Sequence, residues 1–289
     1  MKWCVISDET NHRRHETLSQ ALKDHGIENT MTPLPATLDT FSQVLKSAQT
    51  TFDQIRIGSP FGDQMGKIGI HSTELISRIQ SGDAFIKKNQ IWWPKSYLFG
   101  GMVKQFNLNV KAIDLKSSVF IVGAGASSRV AIAAFSQMGF LKFHITDRDS
   151  KKGMDLVASV KKTYFNVDFQ FVPQSAIMVL PGSNSVLVNT TPITTENKIL
   201  LDLYYFNFLK KPSTVIDMNL YPIPTPLCKE ASELGADCIH GYQIAAQVDV
   251  DWAKEVTGFD IEISKYADRL KDELSKLEFD TKPYERVKE

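Results

Sequence analysis

The stretch that most constrains this chain is Ser118-Val-Phe-Ile-Val-Gly-Ala-Gly-Ala-Ser-Ser-Arg129, followed by Val130-Ala-Ile-Ala-Ala-Phe-Ser-Gln-Met-Gly139. Val119 to Val122 read as a buried strand, Gly123 and Gly125 as a tight turn, and Ala131 to Met138 as the apolar face of a helix. A strand, a glycine turn and a helix in that order build a place for a pyrophosphate. The turn brings bare backbone close, and the helix N-terminus supplies N–H donors and partial positive charge. The pattern is G-x-G-x-x-S, and Ser128 is small enough for the close-packed third position. Gly123, Gly125, Ala126, Ser127 and Ser128 are the expected contacts to a dinucleotide.

The totals leave room for this and exclude other classes. A chain of 289 residues buries a sizeable core and forms one large or two medium domains. With 33 basic and 33 acidic residues it has no net charge, so there is no electrostatic case for nucleic acid or an acidic membrane. No apolar run reaches the roughly 18 residues of a spanning helix, and Trp3-Cys-Val-Ile6 begins a strand rather than a signal peptide. Cys4, Cys228 and Cys238 are too scattered for a disulfide framework, so a reduced, cytoplasmic location is expected.

Strand and helix patterns alternate along the chain. Lys2 to Ile6 reads as a strand, Leu18 to Leu22 as a helix ending near Gly26, Thr30 to Pro35 as extended, and Phe41 to Ala48 as a helix. Asp53 to Gly58 and Asn89-Gln-Ile-Trp-Trp93 read as strands, with Leu75 to Ile79 helical between them. Trp92 and Trp93 are half-buried on this reading. A mostly parallel sheet is expected here, then a break from Tyr97 to Ser117. The second alternation has strands at Phe143 to Asp147, Phe169 to Val172, Ser185 to Asn189, Ser213 to Asp217 and Asp237 to His240. Ile244 to Val256 and Ile263 to Leu277 read as amphipathic helices, and residues 281–289 as a polar tail.

Ligands of open α/β sheets lie beyond the carboxyl ends of the strands. Asp147 lies 24 residues after Gly123, near the roughly 20-residue offset of an acid that binds the ribose 2′-hydroxyl. An acid there favours NAD, whereas Arg148 suits adenine stacking or a 2′-phosphate. A plain surface turn is the other reading of the same residues. Asn189-Thr-Thr-Pro192 ends the next strand and either bonds a ribose or carboxamide or is a simple turn. Asp217-Met-Asn-Leu-Tyr-Pro-Ile-Pro-Thr-Pro-Leu227 reads as an extended, proline-held loop.

Taken together, these stretches resemble the shikimate dehydrogenase family from about residue 115 to 258. The family's nucleotide domain reads G-A-G-G-A-S-R, N-T-T-P, D-x-x-Y-x-P-x-x-T-P-L and D-G. This chain has Gly123-Ala-Gly-Ala-Ser-Ser-Arg129, Asn189-Thr-Thr-Pro192, Asp217-Met-Asn-Leu-Tyr-Pro222 with Thr225-Pro-Leu227, and His240-Gly241. The resemblance implies an α/β fold of two domains: a substrate-type domain over 1–100, joined by C-terminal helices from 242–289, and a Rossmann-like domain over 101–241. It also implies cofactor contacts at Arg148, which with Lys152 matches the family's N-R-T-x-x-K/R clamp, and at Asn189, Thr190, Thr191 and Gly241; Asp147 departs from that clamp and stands as a cofactor contact on its spacing alone. The cofactor is NAD or NADP, with the lean to NAD resting on Asp147.

The facing domain departs from the family. The S-x-S that holds the substrate carboxylate there aligns with Arg13 and His15, the catalytic lysine with Gly62, and its partner aspartate with Gly100. The family's D-x-x-Y tyrosine aligns with Leu220 beside Tyr221, and its late glutamine with Val248 beside Gln247, while Asn89 matches the asparagine of V-N-T. Glycine performs no acid–base step, and losing such a group typically costs about 10²–10⁴-fold. Lys67 and Asp63 are the nearby charges that a relocated acid–base role would use, and His240 is a proton donor candidate at the nicotinamide edge. Arg13 and His15 in place of hydroxyls suit a more anionic ligand, unless His12-Arg-Arg-His15 is a solvated basic segment. His25, His71 and His144 read as structural or surface residues, Tyr242 as a weak ligand contact, and no metal set is apparent.

Three functions stay open. One is a divergent NAD(P)-dependent oxidoreductase acting on a small anionic metabolite. Another is a non-catalytic nucleotide- or metabolite-binding protein on the same fold. The third is shikimate dehydrogenase activity with relocated acid–base groups. The expected partner is a small molecule rather than nucleic acid or membrane, and a homodimer is compatible with each reading.

Overall fold

A computed structural model describes residues 1–68, 72–110, 112–194, 197 and 199–280; His71 and the 281–289 tail lie outside them. The chain divides into two compact units, Met1–Gly101 with Ala245–Leu274, and Met102–Ile244 with the residues from Ser275 on.

The first unit opens with β1 (Lys2–Ser7), α1 (Arg13–Asp24), β2 (Thr30–Pro35), α2 (Phe41–Thr51) and β3 (Gln54–Ile57). A 3₁₀ turn (Phe61–Lys67), α3 (Glu74–Ile79), β4 (Ala84–Lys88) and β5 (Ile91–Lys95) follow, and α4 (Tyr97–Asn109) begins in this unit and ends in the second. Its sheet has the order β2-β1-β3-β4-β5. The first three strands are parallel, but β4 runs antiparallel to β3 and β5 to β4. The expected mostly parallel sheet is therefore mixed. The expected strand from Asn89 is also corrected: Asn89 and Gln90, at φ 51° and 63°, form the turn of a β4–β5 hairpin. Two consecutive left-handed residues match the right-handed twist of paired strands, which fixes such turns.

The break expected from Tyr97 to Ser117 begins instead with α4. Its first N–H groups, of Tyr97 and Leu98, donate to the Asp83 carboxylate at 2.8 and 2.6 Å. The helix start is thus capped from upstream in the chain, where local pattern gives no sign of it. One face of the sheet buries Cys4, Ile6, Ile55 and Phe85 against Phe41, Leu45, Ala48 and Phe61.

In the second unit β6 (Ser118–Val122), α5 (Ala126–Gln137), β7 (Lys142–Thr146), α6 (Ser150–Lys161) and β8 (Asp168–Phe171) form the first half. The second half has β9 (Asn184–Asn189), α7 (Ile199–Leu203), β10 (Leu209–Asp217), α8 (Pro226–Glu233) and β11 (Asp237–His240). The loop expected over Asp217 to Leu227 gives way at its end to α8, where the Thr225 hydroxyl caps the Cys228 N–H. All pairings are parallel and the order is β11-β10-β9-β6-β7-β8. From β6 the chain first winds toward β8, then returns to build β9, β10 and β11 on the other side. That doubly wound order puts the topological switch point between β6 and β9.

Two last helices, α9 (Gly241–Thr257) and α10 (Ile263–Ser275), complete the chain's described elements. Trp252 of α9 packs on Trp3 of β1 at 4.9 Å between ring centroids, covering the sheet's second face. Among the described residues no helix is long and apolar enough to cross a membrane.

Candidate functional site

The strand register of the second unit aligns five strand ends. Val122 pairs with Thr146 on one side and Asn189 on the other, Asn189 with Asp217, and Asp217 with His240. The residues that follow, Gly123, Asp147, Thr190 and Gly241, therefore emerge along one carboxyl edge. This is the edge at which doubly wound sheets hold ligands.

At the switch point Gly123 takes φ +113° and donates its N–H to the Thr146 carbonyl at 2.8 Å. Thr190 fills the space that a side chain on Gly123 would need. Its hydroxyl bonds the Val122 carbonyl at 2.8 Å and the Ser128 hydroxyl at 2.7 Å. Ser128 is fully buried, as the small third position of the motif requires. Gly125 is the N-cap of α5; no side chain caps the helix, and a Cβ built on Gly125 meets nothing within 4 Å. The first-turn N–H groups at Ala126, Ser127 and Ser128 thus face an open approach with the positive end of a twelve-residue helix behind them.

The Asn189-Thr-Thr segment is directed inward. The Asn189 side chain donates to Asp217 Oδ1 at 3.0 Å, while its Oδ1 accepts from the Thr191 N–H at 3.1 Å and hydroxyl at 2.7 Å. Asn219 donates to the same Asp217 oxygen at 2.7 Å and to the Thr191 carbonyl at 3.0 Å. Asn189 and Asp217 are completely buried. Burial pushes the Asp217 carboxyl above the usual range, against the pull of hydrogen bonds from Thr225, Asn219 and Asn189. The side chains of Asn189, Thr190 and Thr191 are bonded within the protein and hold two loops of the rim together. Asp217 and Asn219, the hub of this network, were not among the site residues expected from sequence; their D-x-N spacing beside a strand end was the available signal.

Asp147 follows β7 and accepts the Asp149 N–H at 2.8 Å, while Asp149 caps α6 through the Lys151 and Lys152 N–H groups. Arg148 is exposed beside them. Gly241 opens α9 so close to the Met218 and Asn219 carbonyls that any Cβ there would collide with backbone. His240 stacks on Tyr242 at 5.7 Å, and the His240 backbone N–H donates to Gln243 Oε1 at 2.8 Å.

In the first unit, Arg13 and His15 both fall in the first turn of α1, after the carboxyl end of β1. Arg13 is partly exposed and pairs with Glu273 at 3.6 Å. His15 is buried against Trp3, and burial, followed by the neighbouring Arg14 and Arg56, pushes its pKa well below the ordinary value. It is uncharged near neutrality and brings no positive charge to an anion. Asn89 is exposed at the hairpin turn, beyond the amino end of β3, so the structure does not bring it to Arg13 and His15. Lys67 is exposed and donates to Gln64 at 3.4 Å. Gly62 offers only backbone, its carbonyl accepting the Gly82 N–H at 3.0 Å, and the space beside Gly100 is open.

The buried charges are others, and local sequence gave no sign of them. Arg14 grips Asp249 with two nitrogens at 3.0 and 2.7 Å, Arg56 donates to the same carboxylate at 3.1 Å, and the Tyr266 hydroxyl at 2.9 Å. Burial alone would raise the Asp249 carboxyl, but the two guanidinium groups outweigh it and hold the pKa below the usual range. Arg56 also lies over the Trp252 ring at 5.2 Å. The described residues contain no group of three side chains placed to hold a metal.

The second unit has the doubly wound parallel sheet and glycine turn of Rossmann-like folds. Comparison with known proteins narrows the class. No family model matches the chain. It is 27% identical over 128 residues to the shikimate dehydrogenase (NADP(+)) of Rhizobium rhizogenes, spanning 44% of this chain and only 43% of that protein. It is 23% identical over 218 residues to the enzyme of the same name from Saccharolobus islandicus, covering 74% and 73% of the two chains. Among solved structures, quinate dehydrogenase from Corynebacterium glutamicum in complex with NAD superposes with a TM-score of 0.78 at 17% identity, over 93% of this chain and 98% of that one. The chain thus resembles shikimate dehydrogenases in sequence and shares the two-domain mixed α/β fold, with its Rossmann-like second unit, of that solved structure.

Proposed function

We propose that this chain is a divergent NAD(P)-dependent oxidoreductase that acts on a small anionic metabolite. The observation that carries the reading is the α5 N-terminus, uncapped and fronted by Gly123 and Gly125 at the switch point of a doubly wound sheet. The residues fit a dinucleotide. On this reading the open space at Gly125 and the first-turn donors of α5 receive the pyrophosphate, and Asp147, after the end of β7, accepts the adenine ribose, which favours NAD. Asn189, Thr190 and Thr191 shape the rim through their network with Asp217, and Gly241 lets the backbone pass close to Met218 and Asn219. A bound nicotinamide accepts or donates a hydride.

On the substrate side Arg13, partly exposed and paired with Glu273, is the cation at the start of α1, and His15 beside it is a buried, neutral ring. Gly62 and Gly100, at the positions that align with the family's acid–base pair, carry no group that moves a proton. This favours a substrate other than shikimate, with His240 at the end of β11 the proton-donor candidate on the nucleotide edge. The same absence also supports a second reading, a nucleotide- or metabolite-binding protein without catalysis.

A thermal-shift titration with NAD and NADP, followed by a screen of small carboxylic acids and phosphates, tests both. Stabilisation of several degrees by a nicotinamide cofactor is expected; no shift with either sinks the oxidoreductase reading. A cofactor shift without turnover of any acid tested favours the binding protein.

A further inference from the structure

Cys228 and Cys238 lie ten residues apart and meet where α8 packs on β11. Cys228 belongs to the first turn of α8, and Ser232, four residues on, shares its helix face. The Cys238 sulfur rests against that face. It shares a hydrogen bond with the Ser232 hydroxyl at 3.2 Å and lies 3.4 Å from the Cys228 carbonyl oxygen. The Cys238 S–H donates to that carbonyl, so its sulfur lies against the Cys228 residue itself, and both thiols are free. Cys228 is completely buried, whereas Cys238 is partly exposed. One sulfur is thus reachable from solvent, and the other is buried on the residue that the first rests against.

We propose that Cys228 and Cys238 are a redox-active thiol pair, which small hydroperoxides convert into an intramolecular disulfide with Cys238 attacking and Cys228 resolving. The Cys238 thiolate attacks one peroxide oxygen and the O–O bond breaks. The departing alkoxide or hydroxide takes up a proton and leaves as alcohol or water, and the sulfur is oxidised to a sulfenic acid. The Cys228 sulfur then attacks the sulfenic sulfur. The S–S bond forms, the S–O bond breaks, and the hydroxide leaves as water with the Cys228 proton. Two thiols lose two electrons, which the hydroperoxide gains.

The electrostatics suit these roles. The neighbouring Cys228 side chain, and then the Ser232 hydroxyl, hold the Cys238 thiol down at about 7 against its burial. The Cys238 side chain and burial push the Cys228 thiol up, so it keeps its proton while Cys238 ionises. Cys4 belongs to the other unit, and burial pushes it up to about 12. The crosslink would tie α8 to the strand that ends at His240.

The test treats the full chain with hydrogen peroxide in slight excess, then counts free thiols and maps peptides by mass spectrometry. Two of the three thiols are expected to disappear, with a reducible link between the Cys228 and Cys238 peptides. The rate should rise with pH toward about 7 and then level as Cys238 becomes ionised. Cys238→Ser should leave Cys228 reduced, and Cys228→Ser should accumulate a dimedone-reactive sulfenic acid at Cys238. Three surviving thiols, oxidation of Cys4 ahead of the pair, or disulfide-linked dimers in place of the internal link would each overturn the proposal. If Cys228→Ser does not fold, the partly exposed Cys238→Ser still decides: oxidation of its Cys228 at the wild-type rate overturns the assigned order. None of these readouts depends on a nucleotide.

Discussion

The Thr190 hydroxyl sits where a Cβ on Gly123 would have to go. Gly123 is also held at φ +113°, a conformation that side-chain-bearing residues rarely adopt. Two separable costs therefore meet at one residue. Gly123→Ala is expected to destabilise the second unit by about 1–3 kcal/mol from the backbone alone, with more from the collision. Thr190→Ala gives up the bonds to Val122 and Ser128 but clears the space. In the double variant the loss should be smaller than the sum of the single losses, yet Gly123→Ala should remain costly. A double-mutant cycle by urea denaturation measures this, and strict additivity would show that the hydroxyl and the new methyl do not meet.

Asp147 sets the expected preference between cofactors. A carboxylate at the end of β7 accepts a ribose hydroxyl and repels a 2′-phosphate, with Arg148 acting in the opposite sense. Asp147→Ala should narrow the ratio of NAD to NADP affinity by about tenfold, equivalent to about 1.4 kcal/mol. The variant also loses the acceptor of the Asp149 N–H, so its melting temperature is the control for a damaged turn. Calorimetric titration of both cofactors reads the ratio. A wild-type protein that prefers NADP, or a ratio unmoved by the substitution, would take the ribose away from Asp147.

Asp217 gives the second unit a pH signature. Its folded pKa is raised, so between the unfolded and folded values the folded state holds the proton more tightly. Its contribution to stability therefore declines as pH rises from about 4 through the raised value, then stays constant. Asp217→Asn keeps an oxygen for the Asn189 and Asn219 donors and removes the titration. The stability difference between wild type and variant should change across that window and be flat above it. Denaturation at a series of pH values measures the difference; a constant offset throughout would mean that Asp217 titrates in its ordinary range.

These contrasts follow what a sequence can carry. The β6–α5 turn was legible because every part of it is local: an apolar run, two glycines at fixed spacing, then a helical stripe over Ala131 to Met138. The same holds for the strand ends at Asp147, Asn189, Asp217 and His240. What Asn189 and Thr191 bond to was not legible, because Asp217 lies on the neighbouring strand and only the register brings it there. Asn89 misled for a local reason. Asn-Gln is a weaker hairpin signal than Asn-Gly, and Lys87 and Lys88 blur the end of β4, so the turn was read as part of the following strand. Asp83 caps α4 from 14 residues upstream, although Ser96 stands next to the helix where a cap is usually sought. The Arg14–Asp249 contact spans 235 residues and the Arg56–Asp249 contact 193, so periodicity cannot report either.

That buried cluster makes the strongest stability prediction. Asp249→Ala leaves two guanidinium groups and the Tyr266 hydroxyl without their acceptor, in a site where Arg56 and Asp249 are almost completely enclosed. Breaking a buried pair in this way costs about 3–5 kcal/mol. Arg56→Met should cost less, about 1–3 kcal/mol, because Arg14 still holds the carboxylate with two bonds and a methionine fills the space over Trp252. The pH dependence has the opposite sign to that of Asp217. The folded pKa of Asp249 is depressed, so its stabilisation is complete above the unfolded value near about 4 and is lost as pH falls through the folded one. Wild type should therefore lose its advantage over Arg56→Met as the solution is acidified below about pH 4. Chemical denaturation of both variants gives the ranking. An Asp249→Ala protein as stable as Arg56→Met would mean that solvent reaches the cluster and that the two arginines do not depend on this carboxylate.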